Sequence, residues 1–521
     1  MLLFRRVFTV SFFTLISRIL GFVRDIMIAH HFGTGPVADA FFAAFKLPNV
    51  FRRMFAEGAM QSAFIPLYAG LLTKEGEDNA AAFSRRVLFY LSITLFVVTV
   101  LVTGFAREVT LLLAPGFDQK PEVWAMATTY TQIMMPYLIF MAWLSIFTGI
   151  LNTHGYFRYG AIAPIFLNLA FVVALVFFPN RPDAMIMAWA VTLSGVVQLV
   201  YALWGMQRHG HGLWGRPSAG RPCGDSLRRF LRLFWPAALG AGVYQINILV
   251  DMMFASTLPS GAISYLYYAD RFHQLPLGII AVALSTALLP MFSSLLKADR
   301  YDEAITLQHE GFRLGFALMI PAAAALVGLA DLIMRGTLEH GTFSNADALA
   351  TARALQMYAL ALPAYAVIKI MSAACFAREN TKTPVYVALM GIVLNVILCF
   401  ALIDTLHHAG IALATALSTW VQAYAFMQVG KRQYNLPVWG FGLRYLMAPL
   451  AASTLMLAAL YGVRLGLPAL ELAHPASMLL VCTAVGGGVY AVTYSVLCPD
   501  VVRSLKKRLQ ERKERKRLAA S

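Results

Sequence analysis

Apolar stretches long enough to cross a bilayer recur along this chain from end to end, and no other feature restricts its fold as much. Residues 87–104, 162–178 and 447–459 are examples. A helical crossing takes roughly 20 apolar residues, because every backbone polar group inside the hydrocarbon must be satisfied within the segment itself. A chain of 521 residues has room for about a dozen such crossings or more. The composition agrees: 59% of residues are apolar and 13% charged, where a soluble chain carries about 25% charged residues to face water.

Hydropathy places fourteen spans near 7–29, 36–70, 84–112, 123–151, 159–178, 184–206, 230–256, 262–296, 312–334, 350–375, 384–404, 408–429, 444–466 and 476–498. The net charge of +16 is distributed by loop, which argues for membrane topology and against nucleic acid. The even-numbered loops hold Lys74, Arg85, Arg86, Arg158, Arg208, Arg216, Arg221, Arg228, Arg229, Lys297, Arg300, Arg378, Lys382, Lys431 and Arg432. The odd loops hold almost none. The positive-inside rule therefore predicts cytoplasmic N- and C-termini in a multi-pass membrane protein. The opening MLLFRRVFTV is charged and then apolar, but no small-residue cleavage site follows, so it reads as a retained first span. The five cysteines are scattered and form no CxxC or Cys/His cluster, which speaks against a metal site or a disulfide framework. The tail over 505–517 (LKKRLQERKERKR) reads as a basic anchor beside anionic headgroups.

A weak internal repeat at an offset near 225 residues organises the spans. Asp25 and Ala29 fall on Asp251 and Ala255, Gly35 on Gly261, and Asn168 on Asn395. Six spans per repeat is an even number, so both halves enter from the same side and a pseudo-twofold runs along the membrane normal. The expected fold is an all-α polytopic membrane protein with 14 transmembrane helices: two six-helix lobes so related, plus two C-terminal helices. The boundaries are an N-lobe over 1–207, a cytoplasmic linker over 208–229, a C-lobe over 230–433, a final helix pair over 434–500 and a basic cytoplasmic tail over 501–521.

Charges lie where a membrane disfavours them. Span 1 carries Arg18, Arg24 and Asp25; span 2 carries Asp39, Lys46, Arg52, Arg53 and Glu57, with Pro48 between them. Each charge at a helix centre costs about 2.5–3.5 kcal/mol on insertion scales, so such spans face water or partner charges. At 3.6 residues per turn, Lys46, Arg53 and Glu57 share one face. Span 8 adds Asp270 and Arg271. Snorkelling to headgroups accounts for Arg53 or Arg85, but not for Arg18, deep within its span. An arginine fork matches phosphate oxygens bidentately, so this cluster suits a pyrophosphate-bearing substrate. No Walker motif, HExxH or nucleophile elbow is present, and the loops are too short for a soluble catalytic domain. The chain reads as a transporter and not an enzyme.

The segments 17–25 (SRILGFVRD), 39–49 (DAFFAAFKLPN), 52–59 (RRMFAEGA), 114–117 (APGF), 267–271 (YYADR) and 382–384 (KTP) closely resemble the bacterial MurJ family of lipid II flippases. That family lies within the multidrug/oligosaccharidyl-lipid/polysaccharide exporter superfamily, and the similarity covers essentially the whole chain. The resemblance implies a substrate, undecaprenyl-pyrophosphate-linked disaccharide pentapeptide, moved to the outer leaflet by alternating access. It implies substrate contacts at Arg18, Arg24, Arg52, Arg271, Ser17 and Asn49, and gate or cavity roles for Asp39, Glu57 and Arg353. It implies no cofactor, with a sodium ion or the membrane potential as the coupling source. Asp251, Asn395 and Thr415 match a sodium site of some relatives, although Cys399 stands where a second Asp is expected. Other cell-wall synthesis proteins are implied as partners. Two alternatives stay open: a flippase for another polyprenyl-pyrophosphate-linked glycan, and a cation-coupled drug exporter of the same superfamily.

Overall fold

The structure, a computed structural model, describes residues 2–179, 183–211, 224–434, 442–468 and 474–500, with the side chains of 2–8, 55–59, 61, 224, 239–241, 243–244 and 433–434 excepted. Most of the expected linker and the basic tail over 501–521, with Cys223, fall outside the described residues.

Every regular element among the described residues is helical. In order these are α1 (Leu2–Phe32), α2 (Pro36–Phe51), the π-helix π1 (Arg52–Phe64), α3 (Ile65–Glu75), α4 (Glu77–Gly104) and α5 (Ala106–Leu113). There follow a 3₁₀ turn (Pro115–Gln119), α6 (Pro121–Met134), α7 (Tyr137–Thr153), α8 (Arg158–Phe177), α9 (Met185–Arg208) and α10 (Gly224–Thr257). Next come α11 (Ala262–Pro276), π2 (Leu277–Ala281), α12 (Val282–Lys297), α13 (Tyr301–Gly328), α14 (Ala330–Leu338), α15 (Asn345–Ala359) and α16 (Leu362–Ala377). The last are α17 (Lys382–Tyr434), α18 (Arg444–Gly466) and α19 (Pro475–Leu497). Prolines open α2, α6 and α19 at the first helical turn, where the missing N–H has no intrahelical partner to lose. His407 breaks α17 in two, with φ 52° and ψ −132°.

Nine helices among the described residues are long and apolar enough to cross a membrane, or ten if the bent pair α15–α16 is one span. Their apolar side chains point outward to an extent that water would not tolerate. Phe89, Ile93, Phe96, Val97, Val100 and Leu101 all lie exposed along α4. In hydrocarbon this is the lower-energy arrangement.

The chain divides into two compact units. The first comprises Met1–Ser264 with His340–Ser344. Here α1 packs along α8, α2 along α6, π1 along α10, and α9 against both α7 and α8. Phe41, Phe45 and Phe171 form its aromatic centre, Phe41 stacking on Phe45 at 5.6 Å. The second comprises Tyr265–Glu339 with Asn345–Ser521. In it α16 packs on α12 and α13, α17 on α15 and α16, and α18 on α13 and α19. Leu288, Phe312, Phe316 and Ile370 lie in its core.

Candidate substrate-binding and gating site

Within the first unit, α1 turns its polar residues toward α8. Arg24 and Asp25 are buried, and adjacent in sequence they still pair: Arg24 Nη2 donates to Asp25 Oδ1 at 2.7 Å and Nε at 3.0 Å. Arg24 Nη1 donates to Asn168 Oδ1 at 3.1 Å, and its guanidinium lies 5.3 Å from the Phe171 ring. The Asn168 amide then donates to the Ser17 carbonyl at 2.9 Å. The network reconciles a cation with a low-dielectric site, since a buried charge persists only when paired and hydrogen-bonded. Arg24 is thereby braced by Asp25 and Asn168, while Arg18 is exposed on α1.

The expectation of one continuous 3.6-residue periodicity through span 2 is corrected. Pro48 lies inside α2, where it removes one backbone donor, and from Arg52 to Phe64 the chain adopts π-helical geometry. Hydrogen bonds from i to i+5 widen the turn, so 3.6-residue spacing does not carry through the stretch that follows Arg52. Lys46 and Asn49 are half-buried on α2. The side chain of Glu57 lies outside the described residues.

Arg52, at the junction of α2 and π1 with its N–H still bonded to the Pro48 carbonyl, lies in the wall of a cavity of about 420 Å³. α1, α7, α8 and α9 supply the rest of the lining, including Thr14, Ser145, Asn152, Asn168 and Gln198. Arg52 is the charged residue of that lining among the described residues. The polar members from α7, α8 and α9 were not singled out as cavity residues by sequence. The available signal was an amide inside an apolar span, as at Asn168.

At the end of this unit that carries the odd-numbered loops, several segments are tied together. The buried Asp39 carboxylate accepts from the Gly261 N–H at 2.6 Å, the Ser264 N–H at 2.9 Å and the Ser264 hydroxyl at 2.6 Å. It thus fastens the start of α2 to the α10–α11 turn. Lys120 donates to the carbonyls of Ser256, at 3.1 Å, and Leu258. Burial pushes the Lys120 ammonium below its ordinary range, against the opposing effect of the Asp39 charge. Gly116 passes so close that a Cβ there would lie 2.1 Å from the Ser256 carbonyl oxygen; only glycine fits. The Thr342 N–H donates to the His30 carbonyl at 2.9 Å.

In the second unit, Arg271 donates to the Tyr267 hydroxyl at 2.6 Å and lies 4.6 Å from that ring. Asp270 and His273 sit beside it, 3.7 Å apart. Arg353 is exposed on α15. Asn395 and Thr415, both buried, meet at 3.4 Å, and the Cys399 thiol lies 3.9 Å from the same Asn395 oxygen. Asp251, the third member of the expected sodium set, belongs to the first unit. Repeat mates Asn168 and Asn395 thus have different partners: an arginine in one case, a threonine and a cysteine in the other.

Comparison with known proteins adds a family. The sequence profile described as lipid II flippase MurJ matches residues 28–474. The chain is 36% identical over 449 residues to the probable lipid II flippase MurJ of Buchnera aphidicola (83% of this chain, 84% of the relative). It is 38% identical over 435 residues to the probable lipid II flippase MurJ of Rhizobium meliloti (81% and 79%). To the lipid II flippase MurJ of Burkholderia cenocepacia it is 32% identical over 466 residues (88% and 89%). Among solved structures, an inward closed conformation of the lipid II flippase MurJ superposes with a TM-score of 0.80 at 27% identity, covering 95% of this chain and 99% of that one. An inward-facing multidrug resistance MATE transporter of the MOP superfamily superposes at 0.67 with 14% identity, over 81% and 95%, which is a likeness of fold alone.

Proposed function

The chain belongs to the MurJ family of lipid II flippases, and from that premise we propose that it carries undecaprenyl-pyrophosphate-linked disaccharide pentapeptide from the inner to the outer leaflet of the bacterial cytoplasmic membrane by alternating access, without catalysing a reaction. The observation that carries this reading is the polar cavity of the first unit with Arg52 in its wall. A guanidinium held in a low-dielectric, membrane-embedded wall attracts phosphate oxygens more strongly than it would in water. In this reading Arg52 meets the pyrophosphate, Arg24 is presented by Asp25 and Asn168, and Arg18, Arg271, Ser17 and Asn49 complete the polar path. Asp39 holds the odd-loop end shut, and Glu57 and Arg353 act in gating. The proposed topology has fourteen crossings with both termini cytoplasmic, an N-lobe over 1–207 and a C-lobe over 230–433 joined by the linker. The pair over 434–500 follows the C-lobe in sequence, and other cell-wall synthesis proteins are the protein's partners in the membrane.

The experiment is depletion of the protein in its bacterium with analysis of lipid-linked intermediates. Lipid II accumulating in the inner leaflet is the expected result; a different polyprenyl-linked glycan accumulating instead would reassign the substrate. A drug exporter of the same superfamily fits less well, because such a site favours carboxylates and aromatic walls for cationic cargo.

Coupling to sodium through Asp251, Asn395 and Thr415 belongs to the same proposal. Oxygen ligands from a carboxylate, an amide and a hydroxyl suit a hard monovalent cation, and Cys399 beside Asn395 contributes no oxygen. Flipping assayed in proteoliposomes is expected to rise with an imposed sodium gradient, and Asp251→Asn is expected to remove that dependence. Equal rates with and without the gradient in the unaltered protein would rule sodium out.

A further inference from the structure

Three turns at one end of the first unit bring Glu77, His154 and His211 together. Each lies next to a glycine with positive φ: Gly76 (86°), Gly155 (88°) and Gly210 (75°). The second and third turns are helix C-terminal caps of one design. Gly155 N–H bonds Asn152 O and Tyr156 N–H bonds Leu151 O at the end of α7; Gly210 N–H bonds Gln207 O and His211 N–H bonds Met206 O at the end of α9. Such left-handed caps reverse the chain within one residue, and here they deliver two imidazoles to one spot. Gly76 does the same for Glu77 at the start of α4.

The ligand atoms of the three side chains lie within 4.8 Å of one another. His154 Nε2 and His211 Nδ1 each stand 3.7 Å from the same oxygen, Glu77 Oε1. Tetrahedral zinc with bonds of about 2.0–2.1 Å holds its donors roughly 3.3–3.4 Å apart, so each imidazole nitrogen is within a few tenths of an ångström of that spacing from Glu77 Oε1, while the two rings, tilted by 33° at 3.7 Å between centroids, must turn apart to aim both nitrogens at one ion. His154 is already in the tautomer a metal needs. Its Nδ1 is 3.0 Å from the Ile150 carbonyl oxygen, which only accepts, so Nδ1 is the donor there and in the neutral ring the lone pair falls on Nε2. This is the outer hydrogen bond typical of metal-bound histidine. Nε2 is buried and makes no hydrogen bond. Both histidine side chains are largely enclosed, 14% and 15% exposed, whereas Glu77 is 69% exposed and leaves a side open to water. The neighbouring His209 is engaged elsewhere, stacked on Tyr156 at 3.7 Å and 3.2 Å from the Tyr159 hydroxyl.

We propose that Glu77, His154 and His211 form a zinc site of two neutral imidazoles and one carboxylate, with water in the fourth position, that staples the α3–α4 turn to the ends of α7 and α9. Two imidazoles and a carboxylate prefer zinc over magnesium or calcium, which favour all-oxygen shells. The site is independent of the transport reading: it joins two turns of the first unit to the opening residues of the expected linker. No spacing motif announces it, since its ligands come from three separate loops.

The test uses full-length protein in detergent, purified with an affinity tag that contains no histidine. The protein is incubated with zinc chloride, desalted, and its zinc measured by elemental mass spectrometry. About one zinc per chain is expected to be retained, and Glu77→Gln, His154→Gln and His211→Gln are each expected to release it, while His209→Gln keeps it. Glu77→Gln alters an exposed side chain and preserves the fold if a histidine variant does not. Its melting temperature without metal should equal that of the unaltered protein, and zinc should raise only the latter. Cobalt in place of zinc should give the intense visible absorption of tetrahedral coordination. No retained zinc in the unaltered protein, or equal retention in Glu77→Gln, would overturn the proposal.

Discussion

Arg24→Ala is expected to reduce the amount of folded protein along with transport, whereas Arg52→Ala is expected to abolish transport and leave the folded amount unchanged. The difference follows from what each guanidinium touches. Arg24 is the 2.7 Å partner of a buried carboxylate and also holds Asn168. Removing it takes the 2.7 Å counter-charge from the buried Asp25 carboxylate, and breaking a buried pair in this way costs about 3–5 kcal/mol. Replacing both members, as in Arg24→Leu with Asp25→Leu, removes the carboxylate as well, so folded protein returns while transport does not. Arg24→Lys keeps a charge but lacks the fork that reaches Asp25 and Asn168 together, and an intermediate level is expected. Arg52 lines the cavity, and the loss there is of phosphate affinity. Thermal unfolding in detergent, read beside complementation of growth, separates the two. An Arg24→Ala protein that melts like the unaltered one would show that the ion pair does not support the fold.

Asp39→Asn is expected to stop transport through the gate and not through the cavity. The carboxylate accepts three hydrogen bonds at 2.6–2.9 Å. Bonds to a charged group contribute about 1.5–3 kcal/mol each. An asparagine offers one oxygen and turns an N–H₂ toward donors that already point inward, so at least one pairing becomes donor against donor. The tie between α2 and the α10–α11 turn should loosen, and a cysteine placed at Ser256 should react faster with a water-soluble maleimide than in the unaltered background. The converse experiment locks the same end. His30→Cys with Thr342→Cys, at segments already joined by a 2.9 Å backbone hydrogen bond, should form a disulfide in a background without native cysteines. Transport should stop on oxidation and return on reduction. Flipping that continues with the crosslink complete would show that this end does not open during the cycle.

The all-helical membrane architecture was legible in the sequence because each contribution to it is local. A stretch of apolar residues is driven into hydrocarbon whatever its neighbours do, and the expected interruption between 404 and 408 coincides with the backbone break at His407. The charges of spans 1 and 2 were legible as exceptions for the same reason. Their roles were not, because a role depends on which atoms meet. Arg18, Arg24 and Arg52 read alike as arginines in apolar surroundings. Packing of α1 on α8 gives Arg24 an amide and an aromatic neighbour, and exposes Arg18. The packing of α1, α7, α8 and α9 around the junction of α2 and π1 gives Arg52 the cavity. The face shared by Lys46, Arg53 and Glu57 was an expectation of 3.6-residue spacing, and the i to i+5 hydrogen bonding of Arg52–Phe64 departs from that spacing. Glu77, His154 and His211 had no sequence signature at all, since three cap turns from three loops had to converge before their donors faced one another. The sequence alone therefore determined that the chain is an all-helical membrane protein and which charges lie in its apolar stretches, because transfer energy is a property of the segment. Which charge is braced, which lines a cavity and which side chains converge to hold an ion was decided only by the tertiary structure, because pairing energies fall steeply with distances that helix packing sets.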